Sequence, residues 1–339
     1  MQHHIVALER IHQPLQSTFS FPHTLTTYEI TDPSDHDAVV ARIAPATILV
    51  VTITPITAAL LDPHVSPNLR LIAVMATGTD CVDLEAARAR GIRVTNSPAA
   101  NLDAVSEHAI SLYFAARRRT VLLDRATREV PSEWITKGSL TGRLRFSDGR
   151  PPLTCGDEVL GIVGYGGLGK RIASFGKALG MQVLVSARKG TEDPPSNSNV
   201  EGVVSRVPFT DVLRRSTVIV LSLPRTPETI NLFSAVEFAA MSPYAVLINI
   251  SRGGIVDELA VVEALKGGEI AGYATDVFNK EPPTSPADCA LLSEEAKDLN
   301  ITISPHLAWF SQRTLDNLGR IHRETVEAWV NDKPINVIV

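Results

Sequence analysis

Three side chains in the C-terminal third have the types and spacing for acid–base and carboxylate chemistry. Arg252 follows the apolar run "AVLINIS", Glu281 follows "IAGYATDVF", and His306 follows "NITISP". An arginine offers a planar fork that matches a carboxylate and can polarise a neighbouring carbonyl oxygen. A histidine titrates near neutral pH and can hand a proton to a developing alkoxide. A glutamate beside it would hold the ring and favour its protonated form. Taken singly, each has a plainer reading: Arg252 as a surface charge, Glu281 as a loop residue before Pro282, His306 as a buried structural group. All three, however, stand where a β-branched run ends, the edge at which open α/β sheets bind ligands.

A second group is suited to phosphate. In "GIVGYGGLG", Gly164, Gly166 and Gly169 form G-x-G-x-x-G, with Tyr165, Gly167 and Leu168 filling the turn. The first glycine permits a tight turn, the second lets backbone approach a pyrophosphate, and the third packs helix on strand. A helix starting near Gly167 points its N–H groups at the phosphates. This context predicts a dinucleotide site. About twenty residues farther on, an acid at the second strand's end accepts hydrogen bonds from the ribose of NAD. Here "LVSARKG" places Ser186, Ala187, Arg188 and Lys189 at that point. Ala187 leaves no carboxylate to repel a 2′-phosphate. Arg188 offers a fork, and Lys189 and Ser186 offer further donors. NADP(H) is therefore expected to be preferred, with NAD(H) possible. The plainer alternative is a solvated charge pair at the start of a loop.

These residues need a scaffold of parallel strands. "HHIVAL", "ATILVVTI", "LRLIAVMA" and "IRVTNS" read as strands, and "DLEAARARG" as a helix closed by Gly91. The stretch 101–129 runs helical for about eight turns. From Pro131 to Asp157 the pattern dissolves into a long loop carrying Lys137, Arg143, Arg145 and Arg150. A flap or an attachment surface is one reading, and a solvated loop the plainer one. A new α/β series then begins at "EVLGIVGYG", with strands at "MQVLVSA", "STVIVLSLP", "AVLINIS", "IAGYATDVF" and "NITISPHLA", and a final amphipathic helix "RTLDNLGRIHRETVEAW".

Bulk properties narrow the partner. The chain has 339 residues, above the size at which a single core keeps growing, so two domains are expected. A net charge of −5 argues against a nucleic-acid surface, and a small-molecule partner is expected. Cys81, Cys155 and Cys289 form no CxxC pair, and "MQHHIVALER" has no signal-peptide core, so a cytoplasmic location is expected. The most apolar stretch is broken by Thr and Pro, so no membrane span is expected. His3 and His4 lack partners of metal-ligand spacing, and no metal is expected. His108 and His322 lie in helical segments and read as packing or surface groups.

The Arg, Glu and His segments, with "GYGGLG" and "SLPRTPETINLF", resemble the D-isomer-specific 2-hydroxyacid dehydrogenase family over nearly the whole chain. The resemblance implies an α/β fold of two Rossmann-like or flavodoxin-like lobes with parallel sheets, the cofactor lobe inserted in the catalytic lobe. Residues 1–100 with 307–339 would form the substrate domain and 101–306 the NAD(P)-binding domain. The long helix after Asn101 would help form a homodimer. Arg252, Glu281 and His306 would be catalytic, with Arg252 and His306 also binding substrate. Thr77 and Gly78 in "MATGTDCVDL" would meet the substrate carboxylate. Asp276 would hold the nicotinamide carboxamide, and Leu223, Pro224, Thr229, Ile250 and Ser251 would add cofactor contacts. Trp309 would close the substrate pocket, as "PHLAW" is similar to the "PHxAW" of members acting on glyoxylate and hydroxypyruvate, although a core role is open. The implied activity is NADP(H)-dependent reduction of small 2-oxoacids to D-2-hydroxy acids. Larger aryl or branched oxoacids and a dinucleotide-sensing corepressor role are alternatives. Formate oxidation is disfavoured, because formate-specific members are expected to carry Gln where Glu281 stands.

Overall fold

The computed structural model describes residues 2–10, 15, 18–191 and 205–339. The β-branched runs become two wholly parallel sheets, one in each of two units.

The first unit is Met1–Asn101 with Phe310–Val339. Its strands are β1 (His3–Ala7), β2 (His23–Thr27), β3 (Ile48–Val51), β4 (Leu71–Val74) and β5 (Arg93–Thr95), in the order β2-β1-β3-β4-β5. This is the flavodoxin-like order. β3 and β4 are buried at every residue, so "ILVV" and "LIAV" read as unbroken apolar runs. β2 is an edge strand of sequence "HTLTT", whose polar alternation leaves no such run, and sequence reasoning passed over it. The helix His36–Ile43 was also missed, although Asp35 caps it by accepting from the Ala38 N–H.

In this unit the helix Gln312–Val330 buries His322 to 3% exposure, with Nε2 lacking a hydrogen-bond partner among the described residues. Its ring stands edge-on to Phe19. Burial pushes the His322 imidazole down to about 4 from 6.5. The unfolded chain therefore binds this proton at a pH where the folded chain does not, and stability must fall as pH drops through that window. The loss is about 3 kcal/mol between pH 6.5 and 4. Urea unfolding across this range should show it, and His322→Leu should flatten the profile. An unchanged slope in the variant would mean that the histidine is not held neutral.

The second unit is Leu102–Trp309. Its strands are β6 (Val159–Val163), β7 (Gln182–Val185), β8 (Val218–Leu221), β9 (Val246–Asn249), β10 (Gly272–Thr275) and β11 (Ile301–Ile303), in the order β11-β10-β9-β8-β6-β7. The alternation along each strand builds two cores. Val218, Val220, Val246 and Ile248 face one side, with Ala109 and Leu112 of the helix Leu102–Arg117. Ile219, Leu221 and Leu247 face the other, with Phe233 and Phe238.

The helix after Asn101 is not continuous. It ends at Arg117, and a second helix spans Thr120–Arg128, with Arg119 between them in the left-handed region (φ 49°). The break follows a buried anchor. Arg117 is 3% exposed and pairs with Glu158, while also donating to the carbonyls of Tyr244 and Thr217. The stretch 131–157 is not patternless either. Ser132 caps a short helix, Glu133–Lys137, and Thr141–Leu144 makes another turn. Its cations are tied locally: Lys137 and Arg143 to Glu133, Arg145 to the Gly149 carbonyl, and Arg150 to Asp148. No described helix is long and apolar enough to cross a membrane.

Candidate active site

The phosphate turn follows β6 at the point where the strand order reverses, between β6 and β8. Gly164 has φ +96°, and a Cβ there would collide with the Ser222 carbonyl. The Ser222 hydroxyl donates to the Gly164 carbonyl at 2.6 Å and fixes the turn. A Cβ on Gly169 would strike that same carbonyl, so helix and strand meet at glycine contact distance. At Gly166 the equivalent space is open, leaving backbone free for close approach by a ligand. The helix Gly167–Ala178 starts here without a side-chain cap, so its first N–H groups and its positive end face an anion's position. Tyr165 and Leu168 flank the turn and pack partly on the core. These features fit a dinucleotide pyrophosphate.

At the end of β7 the four residues Ser186 to Lys189, where an acid would meet the ribose of NAD, diverge. Ala187 is buried, and Ser186 turns its hydroxyl inward onto the Ala187 carbonyl at 2.7 Å. Lys189 pairs with the buried Glu237 at 2.7 Å. Burial raises the Glu237 carboxyl, but hydrogen bonds from Lys189 and Ser234 outweigh it and leave the group below its ordinary value. Arg188 is exposed. Arg206, absent from the sequence reading, donates to the Ser186 carbonyl at 2.9 Å and adds a second guanidinium beside this strand end. No short motif marks it, since it reaches the site by pairing of Val207 beside Ser186.

The three chemistry-bearing side chains lie just past the ends of adjacent strands. Arg252 is half-buried three residues beyond β9, and its guanidinium donates to the Ser251 carbonyl at 2.7 Å. Glu281 accepts from the Phe278 N–H through Oε1 (2.8 Å) and meets His306 Nδ1 through Oε2 (2.6 Å). The other imidazole nitrogen, Nε2, is thereby left for chemistry. The hydrogen bond to Glu281 is the largest influence on His306 and raises its pKa, opposed by burial and assisted by the charges of Glu281 and Asp276. For Glu281, burial pushes upward, but the His306 and Phe278 bonds prevail and lower it. Arg252 acts on both, favouring ionised Glu281 and opposing protonation of His306. The set therefore favours a carboxylate facing a protonated imidazole, with a guanidinium acting on both.

His306 itself sits at φ +54°, a left-handed conformation uncommon outside glycine, asparagine and aspartate. Asp276 holds that turn. Its backbone carbonyl accepts the His306 N–H (2.8 Å), and its carboxylate accepts from Leu307 N–H (3.0 Å), Ala308 N–H (2.8 Å) and the Ser304 hydroxyl (2.6 Å). Ser304 in turn meets His108 Nε2 at 2.8 Å, so His108 is more than the packing group expected from its helix.

The remaining candidates are spread more widely. Ile250 and Ser251 are buried, the Ser251 hydroxyl donating to the Asn249 side chain. Leu223 packs partly on the core, and Pro224 lends its carbonyl to Thr229, whose hydroxyl closes the 224–229 turn. Trp309 is half-buried against the core shared with Ala308. Thr77 and Gly78 belong to the first unit, where the Thr77 hydroxyl approaches the Ser97 carbonyl and Asn96 donates to the Thr77 carbonyl.

Residues 110–308 match the D-isomer specific 2-hydroxyacid dehydrogenase, NAD binding domain. The chain is 37% identical over 321 residues to a glycerate dehydrogenase of Methylorubrum extorquens, covering 94% of this chain and 93% of the relative. It is 35% identical over 247 residues to a glyoxylate reductase of Thermococcus gammatolerans, covering 71% and 67%. Among solved structures, an NADPH-dependent glyoxylate/hydroxypyruvate reductase from Sinorhizobium meliloti, in complex with NADP and malonate, superposes with a TM-score of 0.78 at 25% identity, covering 100% of this chain and 97% of that one. A glyoxylate reductase from Paecilomyes thermophila shares the fold with a TM-score of 0.80 at 20% identity, covering 99% and 98%. The chain belongs to the D-isomer-specific 2-hydroxyacid dehydrogenases, a family of oxidoreductases.

Proposed function

We propose that the protein reduces small 2-oxoacids to D-2-hydroxy acids with NADP(H), glyoxylate and hydroxypyruvate being the first substrates to test. The observation that carries this reading is the His306–Glu281 pair at 2.6 Å, with Arg252 acting on both residues. Phosphates would rest on the turn Gly164–Gly169 and the helix end behind it, and a bound reduced nicotinamide supplies the hydride. Arg252 would grip the substrate carboxylate and polarise the keto oxygen. His306, whose protonated form Glu281 favours, would deliver its proton to the forming alkoxide. Thr77 and Gly78 are the first unit's own candidates for substrate contact. Trp309 would bound the pocket. A screen of 2-oxoacids with NADPH and NADH, followed by nicotinamide absorbance, tests the reading. A protein that binds dinucleotide but oxidises it with no oxoacid would be a sensor rather than an enzyme.

For the cofactor, Arg188 is the fork left beside Ala187, since Lys189 is engaged by Glu237. Arg206 supports it, while Glu228 carries a countercharge whose acidity is enhanced by Thr226 and, more weakly, by Arg188. One or two charge-assisted hydrogen bonds to a 2′-phosphate, at about 1.5–3 kcal/mol each, give at least a roughly tenfold preference for NADPH. The double change Ala187→Asp with Arg188→Ser should move the preference toward NADH. Equal kcat/KM with both cofactors in the natural protein would overturn the assignment.

We also propose a homodimer. Phe114, Val121, Val130, Trp134 and Ile135 are large apolar side chains left exposed within one stretch of the second unit, Val130 to 97%. Light scattering should report about twice the 36.6 kDa chain mass. A monomer at micromolar concentration would refute it.

A further inference from the structure

We infer that His108 and Ser304 are positioning residues for the catalytic histidine, acting through Asp276. The inference rests on the proposed role of His306. Its basis is a directional chain of hydrogen bonds. Ionised Asp276 can only accept, so the single hydroxyl proton of Ser304 goes to Asp276 Oδ1 at 2.6 Å. The His108 Nε2 that meets the same Ser304 oxygen at 2.8 Å must then donate, which fixes its tautomer as Nε2–H. His108 Nε2 also lies 3.7 Å from Asp276 Oδ1.

What this chain secures is the segment 304–308. The Asp276 side chain is 2% exposed, and its carboxylate already accepts from Ser304, Leu307 and Ala308. Three of its roughly four acceptor positions are filled by the protein itself. The same residue's carbonyl takes the His306 N–H, and His306 is the one member of the segment held at positive φ. Glu281 therefore fixes the imidazole ring from one side while Asp276 fixes the backbone that carries it. Ser304 and His108 complete Asp276. Loosening the segment by one hydrogen bond would let His306 drift from Glu281, at a cost of roughly tenfold in turnover. His108 is half-exposed and comes from the helix Leu102–Arg117, far from the segment in sequence.

The test compares His108→Ala, His108→Gln, Ser304→Ala and Ser304→Thr. The Gln and Thr variants keep an N–H or O–H donor and should retain most function. NMR titration of the His306 imidazole in cofactor-free protein is the readout that needs no turnover. Glu281, Asp276 and Arg252 are the charged groups that set this titration. The alanine variants should move the His306 pKa down toward its ordinary value, with Gln and Thr restoring it. With oxoacid and saturating NADPH, kcat should fall about tenfold in the alanine variants. An unmoved His306 pKa in both alanine variants overturns the inference, as does a raised NADPH Kd with normal kcat at saturation, which would assign this chain to cofactor binding. If Ser304→Ala does not fold, the His108 pair alone carries the comparison. A shifted pKa with no oxoacid turnover in the natural protein would uphold positioning while refuting the proposed reaction.

Discussion

His306→Ala should lower kcat for oxoacid reduction by about 10²–10⁴, the usual worth of a positioned proton donor. NADPH affinity should survive, because the turn Gly164–Gly169 is built from other strands and held by Ser222. The pH profile gives the sharper result. Glu281 is the largest influence raising the His306 pKa, and in the proposed reaction the protonated ring would be the active acid in the reductive direction. Activity in the natural protein should therefore persist as pH rises above 6.5 and fall only as pH passes the elevated value. Glu281→Gln keeps the shape and removes the charge, so activity should fall away at a lower pH than in the natural protein. Near-normal turnover in His306→Ala, or the same profile in Glu281→Gln, would place the proton donor elsewhere.

Arg252→Ala should lower kcat by about 10²–10³, comparable to removing one donor from an oxyanion site. Unlike His306→Ala, it should also raise KM for the oxoacid, because in the proposed reaction the same fork would grip the ground-state carboxylate. Arg252→Lys should recover little. A point charge restores attraction but not the paired geometry. The variant has a second signature, since Arg252 opposes protonation of His306. Its loss should raise the His306 pKa and move the descending limb of the reductive profile upward, opposite in sign to Glu281→Gln. Steady-state kinetics across pH with NADPH saturating would check both. A variant whose KM is unchanged would remove Arg252 from the carboxylate.

The order of elements and the identity of the chemical groups were legible in the chain itself. Strands buried on both faces carry continuous apolar runs, so "ILVV", "LIAV" and "VIVL" announce themselves. The glycine turn is legible because much of its constraint is local: a positive φ at Gly164, and at Gly169 a Cβ that would strike the Gly164 carbonyl. Arg252, Glu281 and His306 stand out because each follows such a run. The edge strand "HTLTT" and the capped helix His36–Ile43 have weaker patterns and were lost.

Direction and pairing were decided only by the tertiary structure. A strand end at Ser186–Lys189 reads as three neighbouring donors around Ala187, yet Ser186 turns inward, Lys189 is claimed by Glu237 from a distant helix, and Arg206 arrives instead. The helical pattern from Asn101 continues through residue 129, but burial of Arg117 against Glu158 accompanies a break at Arg119 that no helix period encodes. His108 and Ser304 are 196 positions apart, and their hydrogen bond exists only because the helix Leu102–Arg117 packs beside β10 and β11. Periodicity reports which face of an element is buried, because burial repeats every two or every 3.6 residues. A hydrogen bond between remote side chains has no period. It depends on distances of a few tenths of an ångström and on a single orientation, and those are set when the sheet assembles.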